Sequence, residues 1–150
     1  MAIKNYTSQV SAKRSIDYIE TQLVKHGAKT IVKLYDTEKK INGIWFVIES
    51  ENGDIPYKLP ARVKKCEVIL KSNLGPRTRP ETRKKISQQA ERTAWKILSD
   101  WVEAQMAMVE LSQIEITEIF LPYIYDHKTN QTFYEKIKAD NFNHLLTYNV

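Results

Sequence analysis

Eleven lysines and arginines fall between residues 62 and 96, where only three carboxylates answer them. They are Arg62, Lys64, Lys65, Lys71, Arg77, Arg79, Arg83, Lys84, Lys85, Arg92 and Lys96, and they surround the joint Ser72-Asn73-Leu74-Gly75-Pro76. Clustered cations of this kind neutralise phosphates and release the counterions held there, without distinguishing one base from another. The excess is local: residues 1–61 carry nine basic and seven acidic side chains, and residues 97–150 carry three and eight. No aromatic side chain occurs in the cluster before Trp95, so stacking on the bases of a single strand has little local support. Lys64, Lys65, Lys71, Arg77, Arg79, Arg83, Lys84 and Lys85 are therefore the expected contacts to nucleic acid or to an acidic partner. The bland alternative is a solvated helix start and loop.

Other chemistry has weaker support. His26, His127 and His144 sit at a helix end, a turn and a tail, with none of the His-x-Glu, His-x-x-x-His or Cys-His spacings that build a metal site. Cys66 is the single cysteine, so no intramolecular disulfide forms, and on an apolar helix face its thiol acts as a small hydrophobe. Gly27, Gly43, Gly53 and Gly75 are isolated and make no phosphate loop. Asp100 and Glu103 share a helix face, which reads as the wet side of an amphipathic helix rather than an acid–base pair. The expectation is a protein with no catalytic constellation, no metal and no cofactor.

The cations must be positioned by a long helix. Residues 78–111 lack an interruption, and Ala90, Ala94, Ile97, Trp101, Ala104, Met108 and Leu111 recur at alternating spacings of four and three beside Trp95, Leu98, Val102 and Val109. Thr78-Arg79-Pro80-Glu81 fits a capping box at its start. A helix of roughly 50 Å, at about 1.5 Å per residue, exceeds what one small core covers. This predicts a homodimer with long helices in contact through Ala94, Ile97, Trp101 and Met108. The rival is closure within the chain against short C-terminal helices.

Ahead of it, residues 12–26 place Ile16, Ile19 and Leu23 on one face, with Ser11 as cap and Gly27 as the left-handed stop. The period then changes to two: residues 29–35, 43–50 and 55–59 read as an antiparallel β-meander. Asn52-Gly53 is expected as the two-residue hairpin turn, and Pro56 marks the third strand as an edge. Residues 2–10 are a candidate fourth strand. Trp45 and Val47 fall on the outer face, either as a contact surface or under the C-terminal tail. Residues 61–72 form a helix offering Val63, Cys66, Ile69 and Leu70 to the core; residues 114–121 and 132–138 form short helices either side of a turn at 126–130. The fold class is α+β, a small antiparallel meander packed by helices. One domain spans residues 1–150: an α+β part about 1–72, a basic joint 73–78 and a helical part about 79–150.

A 42% hydrophobic composition predicts a real core, and no run approaches the roughly 18 apolar residues of a spanning helix. The start Met1-Ala2-Ile3-Lys4-Asn5 has no apolar core of a signal peptide, so a soluble intracellular protein is expected. The start Met1-Ala2-Ile3-Lys4-Asn5-Tyr6, the joint Leu59-Pro60-Ala61, the block Gln89-Ala90-Glu91-Arg92-Thr93-Ala94-Trp95 continued by Trp101 and Ala104-Gln105-Met106-Ala107, and Phe120-Leu121-Pro122-Tyr123 together resemble a family of small uncharacterised proteins of phages and prophages of Gram-positive bacteria. The resemblance covers most of the chain in order and implies a phage-type product acting in the bacterial cytoplasm. It carries over no catalytic residues. Two functions are compatible with these residues: a nucleic-acid-associated accessory of phage replication or recombination, and a protein–protein interaction module that inhibits a host defence or nucleic-acid-processing enzyme.

Overall fold

The Ser11 hydroxyl accepts the Arg14 amide at 3.1 Å and so starts the first helix, α1 (Ala12–Lys25), in the computed structural model, which describes residues 3–146. Ile16, Ile19 and Leu23 are buried, and Gly27 ends the helix at φ +106°, a conformation that glycine adopts without a Cβ penalty. Strands β1 (Ala28–Tyr35), β2 (Ile41–Ser50) and β3 (Gly53–Pro60) follow as an antiparallel meander in that spatial order. The register sets Ile44 opposite Leu59, Phe46 opposite Tyr57 and Ile48 opposite Ile55, which gathers the apolar side chains on one face. Pro56 lies on the edge strand, as its missing amide requires. Helices α2 (Val63–Ser72) and α3 (Pro80–Glu110) complete the main body, and both α1 and α2 pack against α3. The α+β class and the three-stranded meander agree with the sequence pattern.

The C-terminal part is a helical turn α4 (Ile116–Ile119), a 3₁₀ turn (Leu121–Tyr123), a two-stranded ribbon β4 (Tyr125–Asp126) and β5 (Gln131–Thr132), and α5 (Phe133–Ala139). It closes the core. Phe120 is fully buried, edge-on to Phe46, Tyr57 and Trp101 at centroid distances of 5.2, 5.7 and 5.8 Å. The ribbon also covers the outer sheet face, where His127 stands edge-on to Trp45 at 5.5 Å. The covering of Trp45 by the C-terminal segment is thus the alternative that holds.

Four local expectations are corrected. Residues 3–10 form turns rather than a fourth strand, with Ala2 outside the described residues. This segment is held by side chains of α3: the Thr93 hydroxyl donates to the Asn5 carbonyl at 2.9 Å, Gln89 and Arg92 donate to the Ser8 carbonyl, and the Asn5 amide donates to Asp100 at 2.8 Å. The hairpin turn is Glu51-Asn52, with Gly53 paired to Ser50 as the first residue of β3. Ser50 closes the turn by accepting the Asn52 amide and donating to the Gly53 carbonyl, so the positive φ falls on Gly53 alone, at +118°. The capping box at Thr78 does not form. Pro80 forces extended backbone on Arg79, which becomes the N-cap, and the Thr78 hydroxyl donates to the Gly75 carbonyl instead. A capping box forms at α5, between Thr132 and Glu135. Finally, Ile69 is 49% exposed, because α2 buries the face of Val63, Cys66 and Leu70.

Tyr57 is completely buried and stacked on Phe46, yet its hydroxyl has no hydrogen-bond partner among the described residues, and burial pushes its ionisation up. An orphaned buried hydroxyl is destabilising. Tyr57→Phe is therefore expected to raise the free energy of unfolding by about 1 kcal/mol in urea denaturation; a loss of stability would mean that the hydroxyl is satisfied in solution.

Candidate functional site

The basic cluster runs from the start of α2 to the middle of α3, with Arg77, Arg79, Arg83, Lys84 and Lys85 gathered at the connection 73–79 and the first turns of α3. The fold divides it in two. Lys64 is paired with Glu38 at 3.0 Å, and that hydrogen bond holds its ammonium above the ordinary lysine range. Lys71 is paired with Glu67 at 2.6 Å, and Glu67, which also accepts from Ser87, is held below the usual carboxylate range. Arg92 is taken up by the Ser8 carbonyl and Gln89, and Lys96 by Asp100 at 2.9 Å. These four are spent on the fold.

Arg77, Arg79, Arg83, Lys84 and Lys85 are different. All five are exposed, and none makes a side-chain hydrogen bond or ion pair among the described residues. With about 100° between successive residues, Arg79 and Arg83 share one side of α3, Lys84 lies a quarter-turn round and Lys85 nearly opposite. The cations therefore surround the helix end rather than form one stripe. That geometry suits contact with a chain of phosphates and gives no means of reading base edges. Lys65, the eighth expected contact, is exposed on α2 and faces away from this end, towards a groove shared with Arg62.

That groove accounts for the stripe expected at an oligomer interface. It lies between α2 and α3 with a volume of about 340 Å³, and Ala94, Ile97 and Trp101 line it. Ala94 is buried in the core, Ile97 and Trp101 are half-buried, and Met108, which does not line the groove, is 37% exposed. Trp101 packs edge-on against Phe120 and Tyr123, so closure within the chain covers part of the surface that was expected to meet a second copy. Tyr123 continues into a second, polar hollow of about 660 Å³ lined by Lys58, Arg62, Lys65 and Lys138. Sequence reasoning missed Lys58 and Lys138. No spacing links them, and they meet because Ile124 bridges to Tyr57 and returns the C-terminal segment to β3.

The remaining reactive types are occupied structurally. Among the described residues no group of three His, Cys, Asp or Glu side chains could hold a metal ion. His26 bonds the Gln22 carbonyl through Nδ1 at 2.8 Å, and burial pushes the Cys66 thiol up, away from the reactive thiolate. Burial opposes ionisation of Asp100, but the Asn5 amide and Lys96 outweigh it and keep the carboxylate charged. It ties the N-terminal segment to α3. No helix among the described residues is long and apolar enough to cross a membrane. Comparison of the chain with protein-family models, curated proteins and solved structures finds no match.

Proposed function

We propose that this protein is a non-enzymatic accessory factor that associates with nucleic acid through the basic end of α3; the phage-type product that its sequence resemblance implies makes replication or recombination the process it would serve. The observation that carries the binding part is the set of five cations, Arg77, Arg79, Arg83, Lys84 and Lys85, that are unpaired among the described residues, on a surface where neighbouring lysines have carboxylate partners. Four of them lie at the positive end of the helix dipole, a placement that costs about a few tenths of a kcal/mol each and that the one first-turn carboxylate, Glu81, offsets only in part. A phosphate brought to this end relieves the repulsion and can also accept the Glu81 amide, which has no side-chain cap, whereas the Thr82 and Arg83 amides already donate to the Arg79 carbonyl. Lys64 and Lys71 contribute less than the sequence implied, since a phosphate would have to displace Glu38 or Glu67.

Fluorescence anisotropy with short duplex and single-stranded oligonucleotides of unrelated sequence tests this reading. Binding is expected below about 0.1 mM at about 50 mM salt, with little dependence on sequence and a steep fall with salt. Absence of affinity for DNA and RNA under those conditions overturns it. Affinity purification from host cells with and without nuclease then separates it from docking on an acidic host protein: capture that survives nuclease favours the protein partner.

A further inference from the structure

We infer that the apolar groove between α2 and α3 and the cationic hollow beside it form one binding site for a single-chain anionic amphiphile, an aliphatic chain ending in a carboxylate or a phosphate. The two cavities are contiguous: Pro60, Arg62, Lys65 and Tyr123 line both. The groove walls are apolar, with Ile69, Ile97, Leu98 and Trp101 prominent. No carboxylate, side-chain amide or Ser/Thr hydroxyl lines it, and its charged groups, Arg62 and Lys65, are the two it shares with the hollow; most of the wall therefore asks for no polar partner, which suits an aliphatic chain.

The hollow supplies the complementary half. Lys58, Arg62, Lys65 and Lys138 converge on it, and none of the four has an ion-pair partner among the described residues; Lys58 lies over the Tyr125 ring at 5.4 Å. Its one carboxylate, Glu135, is engaged by the amide and hydroxyl of Thr132 at 3.2 and 3.0 Å. A head group entering here meets a surplus of cationic donors directly at the mouth of the apolar groove. The volumes, about 340 and 660 Å³, fall within the range of about 300–1,000 Å³ typical of small-molecule sites. Charge argues against a second copy as the occupant. In a two-fold contact of groove on groove, Arg62 and Lys65 would find no acidic partner in the facing copy, because no carboxylate lines the groove.

Isothermal titration of the full chain with octanoate, decanoate and dodecanoate, and with dodecyl phosphate, all below their micelle concentrations, tests the assignment. The expected result is one saturable site per chain, with affinity rising about fourfold per added methylene, the equivalent of about 0.8 kcal/mol, until the groove is full. The double substitution Arg62→Glu and Lys65→Glu, at two exposed positions, should weaken dodecanoate and dodecyl phosphate by about tenfold or more. Ile69→Gln, also exposed, should flatten the chain-length dependence and leave the far-ultraviolet circular dichroism unchanged. Dodecyltrimethylammonium, with the same chain and the opposite charge, should bind at least about tenfold more weakly than dodecanoate. The assignment is overturned by any of four results: no saturable heat up to about 1 mM, equal affinity for the cationic amphiphile, indifference to the double substitution, or binding to anionic vesicles without binding of the monomeric chains.

Discussion

Truncating Trp95 to Ala is expected to lower the free energy of unfolding by about 3–5 kcal/mol, a large part of the roughly 5–15 kcal/mol that holds a domain together. Trp95 is the largest side chain in the core and is 1% exposed. It reaches from α3 to the start of β2, where its indole Nε1 donates to the Ile41 carbonyl at 3.2 Å, so the truncation opens a cavity and removes that carbonyl's indole donor together. Urea denaturation followed by far-ultraviolet circular dichroism measures the loss. Trp95→Phe separates the two contributions, since it keeps most of the packing and removes the donor. Trp101→Ala is the informative contrast, because Trp101 is half-buried and should cost clearly less. Equal costs at the two positions would mean that Trp101 is covered in solution by something outside this chain.

The second large effect is electrostatic. Each neutralised phosphate contributes about −0.9 to the log-log slope of affinity against salt on duplex and about −0.7 on a single strand. Replacing Arg83, Lys84 and Lys85 together by Gln is therefore expected to flatten the slope by up to about three units, a change that depresses affinity most at low salt. The fold should be unaffected, because all three are exposed and none is paired among the described residues. Lys64→Gln and Lys71→Gln provide the control: with Glu38 and Glu67 already beside them, their removal should leave the slope nearly unchanged. If the control moves the slope as much as the triple substitution, the ion pairs open on binding and the nucleic-acid surface extends along α2.

What the sequence made legible was what short-range physics decides. Ser11 and Gly27 bracket α1 because a cap and a left-handed stop are local requirements, and the meander follows from alternation on either side of a tight turn. The misreadings have a common origin in neighbours of the residue concerned. Thr78 lost its capping role to the φ/ψ restriction that Pro80 places on Arg79, and the hairpin shifted by one residue because the Ser50 hydroxyl closes the turn. The pairing of Lys64 was not legible, because Glu38 lies 26 residues away, whereas Lys71 and Lys96 meet carboxylates one helical turn along. The cationic hollow was further out of reach. Lys58 and Lys138 belong to opposite ends of the fold's connectivity and are joined by the return of Ile124 to β3.

The anchoring of residues 3–10 on α3 also sets an order of events during synthesis. Asn5 and Ser8 leave the ribosome well before Gln89, Arg92 and Thr93, which hold their carbonyls and lie 81 to 88 residues downstream. At about 5–20 residues per second those partners follow roughly 4–18 s later, ample time for α1 and the meander to form first. A segment made before α1 thus docks only after α3 is made, and until then it trails from a nascent protein whose apolar sheet face still waits for its cover.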